Sequence, residues 1–240
     1  QRSMRAVFNY SWALLDEALR GVLARLTIFP DTFDAKAAYA IAAADAQQLN
    51  ALVAKSLLNV SDNRYSIHPL LREYSAEKSV DTKILAHRHA VHFMEWWPEA
   101  GQRSLESGPD QFKNDVANLR QAWLGAVKLK TDKLLLNATE PMMRYWINRG
   151  WSADSLVLIE ESEPVAATNS QLHARLTVAK AQVYRRRGEF SKAIEISEEV
   201  LTRLDDALLS DRAQTMVNIG LAMLFTGPSP RVLTLLESAT

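Results

Sequence analysis

Three glycines fix the character of the second half of this chain. Gly150, Gly188 and Gly227 stand 38 and 39 residues apart, in the segments YWINRGWSADSL, YRRRGEFSKAI and MLFTGPSPRVL. Each follows a large apolar residue four positions earlier, namely Trp146, Tyr184 and Met223. Glycine enters the left-handed backbone region without a Cβ penalty, so it suits the point where a helix ends and the chain turns back. In the middle copy Phe190 and Ala193 follow the glycine, one large and one small, as a close helix crossing requires. A hairpin of two helices cannot bury its apolar face alone, so neighbouring hairpins must stack. From roughly residue 110 onward the spacing therefore predicts a right-handed helical solenoid, with Pro141 kinking or shortening its helix.

The period identifies the kind of repeat. Gly220 stands seven residues before Gly227, as in the tetratricopeptide signature, whose own period is about 34. The extra residues then fall in the loops between hairpins.

The first 80 residues read differently. Val7, Ser11, Leu14 or Leu15, and Ala18 recur on one helical face, and LARLTIFP is a short apolar segment closed by Pro30. Asp34 is placed to cap an alanine-rich helix through Ile41, and Leu49, Leu52, Val53 and Ser56 mark the face of a further helix. The pattern then shortens to LLNV, a polar SDNR turn and YSI, which predicts a two-stranded hairpin. Pro69 opens the next helix, with Leu70, Leu71 and Tyr74 as its buried side. Helices followed by a small hairpin are the layout of a winged helix, expected over residues 1–80. Residues 81–110 are read as a connecting helix, from Asp81 to Trp97-Pro98, and the turn-rich linker GQRSLESGPD. Residues 111–240 are read as the repeats, truncated at the C-terminus, starting with Phe112, Val116, Leu119, Trp123 and Val127 at helical spacing.

Composition narrows the function. The chain has no cysteine, which excludes disulfides, thiol nucleophiles and cysteine-ligated zinc, and fits a reducing, cytoplasmic setting. Lysine plus arginine and aspartate plus glutamate both number 28, so no global field draws the chain to nucleic acid or acidic lipid. No apolar run reaches the length of about 18 residues needed to cross a bilayer, and no membrane partner is expected. The phosphate-binding loop, the dinucleotide fingerprint, the zinc-protease pair and the nucleophile elbow are all missing from the sequence. The chain itself is read as non-catalytic, with no cofactor of its own.

A few residue groups invite a sharper reading. His87, His89 and His92 cluster in HRHAVHF, and a His89-His92-Glu95 set on one helix is the only nameable basis for a metal-dependent enzyme. A metal site needs ligands from several elements, so ordinary histidines are the expectation and no metal is assigned. Phe93, Trp96 and Trp97 are expected to dock their helix. Tyr184, Arg185, Arg186 and Arg187 are candidates for contact with a partner on the repeats. A DNA-binding regulator is the alternative for the winged helix. Its third helix, however, offers Lys55 with Gln47, Gln48 and Asn50, and the hairpin turn offers only Arg64. Duplex readout needs several arginine or lysine contacts, so direct DNA binding is not expected.

SW-x-LL from Ser11, L-x-x-F-P-x-x-F from Leu26, LV-x-KSLL from Leu52 and RY-x-IH-x-LLREY-x-x-EK from Arg64 carry a family resemblance. NDVANLRQAW from Asn114 and YW-x-x-RG from Tyr145 extend it. Together they resemble the winged-helix and repeat portion of bacterial STAND-class signalling ATPases. In these proteins an NB-ARC-type nucleotide-binding module precedes tetratricopeptide repeats. The resemblance is strong over residues 1–80 and looser beyond.

It implies a fragment whose parent binds ATP or ADP in a module upstream of Gln1. The winged helix would act as a lid on that module of the same chain. The repeats would sense an unknown protein or small-molecule inducer, with transcriptional control as the output. His68, in Ile67-His68-Pro69, resembles the histidine of a Met-His-Asp segment that contacts the ADP β-phosphate in related proteins. Here Pro69 replaces the acidic residue. His68 is therefore either a phosphate contact in the intact parent or a cap for the helix that Pro69 begins.

Overall fold

The computed structural model describes residues 2–95, 112–203 and 209–227, with Pro230 and Thr234. It is mainly α-helical with one small antiparallel hairpin, and it divides into two compact units. Among the described residues, the first unit holds 2–95 and 112–129, and the second begins at Lys130.

In the first unit, α1 spans Arg2–Ala13 and α2 spans Glu17–Leu26. The face expected to run through Leu14 to Ala18 is broken here. Asp16 leaves the helix at an extended ψ of 169° and accepts the Leu19 N–H at 2.8 Å, which starts a new helix. LARLTIFP is correspondingly helical as far as Leu26. Asp34 caps α3 (Ala35–Ala42) through the Ala37 N–H at 2.7 Å, as its position predicts. α4 (Ala46–Ala54) opens on a capping box between Asp45 and Gln48.

β1 (Asn59–Ser61) and β2 (Arg64–Ser66) pair with Val60 opposite Tyr65. Asp62 and Asn63 both adopt positive φ, 51° and 59°, as a two-residue hairpin turn of the right hand requires. α5 (Pro69–Ala76) follows, burying Leu71, Tyr74 and Ser75 and leaving Leu70 exposed. α6 (Thr82–Glu95) packs against α7 (Val116–Lys128) and against α3. Leu23, Leu26, Phe29, Phe33, Ile41, Leu49 and Leu52 are core residues, with the rings of Phe29 and Phe33 stacked at 4.3 Å. Leu119 and Trp123 of α7 are fully buried, whereas Val116 and Val127 are only half-buried. The linker, Trp96 and Trp97 lie outside the described residues, as does the expected boundary near 110. The helices on either side of it, α6 and α7, belong to the same unit.

The second unit consists of α8 (Asp132–Asn148), α9 (Ser152–Ala166), α10 (Ser170–Arg186), α11 (Phe190–Arg203) and α12 (Leu209–Thr226). α10 packs against α8, α9, α11 and α12. Pro141 is buried inside α8, which runs on to Asn148 and is not shortened there. Gly150, Gly188 and Gly227 have φ of +80°, +80° and +82°. The first two turns match bond for bond. Trp146 O accepts from Trp151 N–H and Tyr184 O accepts from Glu189 N–H, both at 3.0 Å. Gly150 N–H and Gly188 N–H each donate three residues back, at 3.1 Å. At Gly150 and Gly188 the large apolar residue four positions earlier is thus the residue whose carbonyl closes the turn, and Met223 O accepts the Gly227 N–H at 2.9 Å.

Candidate functional site

The corner between β2 and α5 is built by local rules. Arg64 to Ser66 form the strand, Ile67 turns inward at 7% exposure, and His68 is exposed with φ −55° and ψ 133°. Pro69 occupies the first helical position, where a missing N–H costs nothing. His68 Nδ1 accepts the Leu70 N–H at 3.3 Å and so acts as the cap. With its lone pair engaged, Nδ1 carries no proton, and the ring proton belongs on Nε2. The exposed edge of His68 is therefore a hydrogen-bond donor at a helix N-terminus.

Four guanidinium groups of this unit are held by the protein itself, whereas those of Arg88 and Arg120 are exposed. Arg20 donates to Trp12 O and Ala13 O at 2.9 and 2.8 Å, closing the end of α1. Arg25 donates to Ala42 O at 2.7 Å, closing the end of α3, and Arg72 donates to Pro30 O. Arg64, the hairpin's cation, pairs with Asp115 at 2.5 Å, and the two side chains are only 15% and 18% exposed. A guanidinium held by backbone carbonyls or a carboxylate is not offered to a phosphate backbone. On α4, Gln47 and Asn50 are exposed and Gln48 is engaged in the capping box.

The three histidines of α6 separate by environment. His87 is exposed, His92 is half-buried and His89 is buried, its ring 4.7 Å from Phe93 and 5.7 Å from Phe29. Burial pushes the His89 pKa down to about 4, opposed by hydrogen bonding towards Asn118 and reinforced by His92. His89 Nε2 and Asn118 Oδ1 are both buried with no bond of ordinary geometry, so the approach is a loose one. Burial also lowers the His92 pKa, with Asp34 and Asp115 opposing and Lys36 assisting. Among the described residues, no group of three His, Asp or Glu side chains is placed to hold a metal ion. No described helix is long and apolar enough to cross a membrane.

In the second unit the expected contact residues are largely engaged. Tyr184 is buried, with Lys192 Nζ 4.0 Å from its ring centre. Arg186 donates to Asn148 Oδ1 at 2.9 Å and Arg187 pairs with Glu189 at 2.8 Å. Arg185 is half-buried, and burial together with the neighbouring Arg186 charge lowers its pKa. Alongside them, α9, α10 and α11 line a cleft of 410 Å³ with Ile159, Glu163, Lys180, Tyr184, Lys192 and Glu199 among its walls. That volume lies in the range of small-ligand sites, about 300–1,000 Å³. Single-sequence reasoning could not find this cleft, because its walls are spread over three helices. On the other side of α10, Arg175 reaches Leu136 O of α8 at 3.0 Å and Asp211 of α12 at 3.2 Å.

No family model matches this chain, and no curated protein matches it. Among solved structures it is similar to the Pyrococcus horikoshii Signal Transduction ATPase with Numerous Domains (STAND) protein with a tetratricopeptide repeat sensor. The TM-score is 0.38 and the identity 12%, over 98% of this chain and 45% of that one. The chain thus spans less than half the length of the structure it matches. The relationship is a distant one.

Proposed function

We propose that the chain is a non-catalytic regulatory portion of a nucleotide-switched signalling ATPase. Residues 1–80 form its winged-helix lid, and the helices from Lys130 onward carry tetratricopeptide-like repeats that sense a protein or small-molecule inducer. The observation that carries the reading is His68, an exposed residue that caps α5 through Nδ1 and leaves Nε2–H to donate. In the parent protein that donor would meet the β-phosphate of ADP, a charge-assisted bond that Pro69 neither helps nor blocks. The matched turns at Gly150 and Gly188 support the repeat reading, and the 410 Å³ cleft supports a small inducer. The lid acts by favouring one packing over another, so nucleotide and inducer are coupled through a conformational equilibrium. The hairpin's Arg64 is committed to Asp115, which counts against direct DNA binding through the wing.

The test compares His68→Ala with His68→Asn in the parent chain carrying the ATPase module. Asparagine can still cap α5 through Oδ1, but its Nδ2 donors sit on a shorter side chain that does not reach the position of Nε2–H. Both variants should lose ADP faster than the unmodified protein. Normal ADP retention in His68→Asn, with loss only in His68→Ala, would reduce His68 to a cap.

A further inference from the structure

Arg64 lies four residues before His68, and its guanidinium is held from several directions. Nε donates to Thr32 Oγ1 at 2.9 Å, and Nη2 donates to Thr32 O at 3.0 Å, Asn114 O at 3.2 Å and Asp115 Oδ1 at 2.5 Å. Nη1 reaches Asp115 Oδ2 at 3.4 Å. Asn118 adds a second tie from α7, its Nδ2 donating to Thr32 O at 2.8 Å and to Asp115 Oδ1 at 3.1 Å. Thr32 O therefore accepts one bond from the hairpin and one from α7. The groups come from three stretches far apart in sequence, all within the first unit.

The hairpin needs such support. Each strand is three residues long and β1 is exposed throughout. A two-stranded hairpin of that size is marginal in water. Its other described tie to the unit is the Phe33–Tyr65 bridge, with backbone bonds of 3.0 and 2.8 Å. Bridge and ion pair thus converge on Thr32 and Phe33.

The geometry points to residues 112–115 acting as a strap across the hairpin, with Asp115 as its release point. When the strap lifts, Arg64 loses its carboxylate, and β1, β2 and the His68 corner open together. The helices stay folded, because Leu23, Leu26, Ile41, Leu49 and Leu52 form a core that does not depend on Asp115. The pair's burial shields it from salt, so release requires displacing the carboxylate rather than screening it. The strap rests on these contacts alone and stands whether or not the parent binds nucleotide.

Hydrogen exchange on the whole 240-residue chain tests it. Asp115→Ala leaves a buried guanidinium without its counter-charge, so amides of residues 59–70 should exchange roughly a hundredfold faster. Amides of α2, α4 and α10 should keep their protection. Thr32→Val removes the hydroxyl that accepts from Arg64 Nε and donates to Asn114 O, and should speed exchange of the same segment about fivefold. Unchanged exchange at 59–70 in both variants would overturn the strap. Equal acceleration across the whole first unit would overturn it too, since the ion pair would then be an ordinary part of global stability.

Discussion

His89 makes the first unit sensitive to mild acid. The drop in its pKa from 6.5 to about 4 has burial as its main cause. At about 1.36 kcal/mol per pH unit, that drop corresponds to roughly 3 kcal/mol. Between those two values the unfolded chain binds a proton on this imidazole that the folded chain does not. Stability therefore falls by up to about 1.4 kcal/mol for each pH unit descended from 6.5 towards 4, and His89 adds nothing further below that. The groups around it are Phe29, Phe93, Asn118 and His92, and none is an anion that would favour the charged ring. His92 titrates with the same sign, its pKa lowered by burial despite Asp34 and Asp115. The perturbation is His89→Gln, which removes the titration and keeps an amide facing Asn118. Urea unfolding, followed by NMR signals from α6 and α7 at pH 7 and pH 5, gives the stability of each protein. The difference between wild type and variant cancels the carboxylates common to both. It should shift by about 2 kcal/mol between the two pH values, with wild type losing more. A difference that stays constant would refute the assignment of His89 as a buried neutral imidazole.

Two further outcomes follow from backbone geometry. Gly188→Ala places a Cβ in open space at φ +80°, so its cost is strain alone, about 1 kcal/mol, whereas Gly220→Ala in an open position inside α12 should stabilise by about 0.5–1 kcal/mol. Thermal unfolding of the two variants should move in opposite directions. Asp45→Ala removes the half of the capping box in which Asp45 Oδ1 accepts the Gln48 N–H, leaves the backbone N–H of residue 45 bonded to Gln48 Oε1, and should cost about 1 kcal/mol, measurable as a lower urea midpoint at unchanged slope.

Local signals in the sequence carry much of the fold. Asp34 and Pro69 are start signals that act within one turn, and the structure uses both as expected. Asp16 is the same kind of signal, hidden because apolar residues on either side keep a helical spacing across the break. Phe112 to Val127 illustrate a different limit. Their periodicity says that one face is buried but not which element covers it, and α7 packs on α6. Arg64 could be read only as the hairpin's cation, because its partner lies 51 residues away. His87, His89 and His92 look alike in a string and differ only once α6 has been set against Phe29 and α7. At the candidate site, the capping role of His68 was legible from the proline that follows it. The division of labour between its two nitrogens depends on the 3.3 Å bond to Leu70.

The positive φ angles have a consequence for how far this sequence lies from its own optimum. Ala43, Ser56 and Lys130 adopt φ of 50°, 58° and 55° without being glycine. Each holds a left-handed conformation that an L-residue enters at a cost of about 1 kcal/mol. Ala43 and Lys130 lack the short polar side chain that eases Asn63 and Asp62 into the same region. Glycine at these three positions would relieve the strain, so the chain carries unused stability at the ends of α3, α4 and α7. A protein selected to clear a threshold accumulates such slack. For anyone engineering this scaffold, these helix ends are the place to begin.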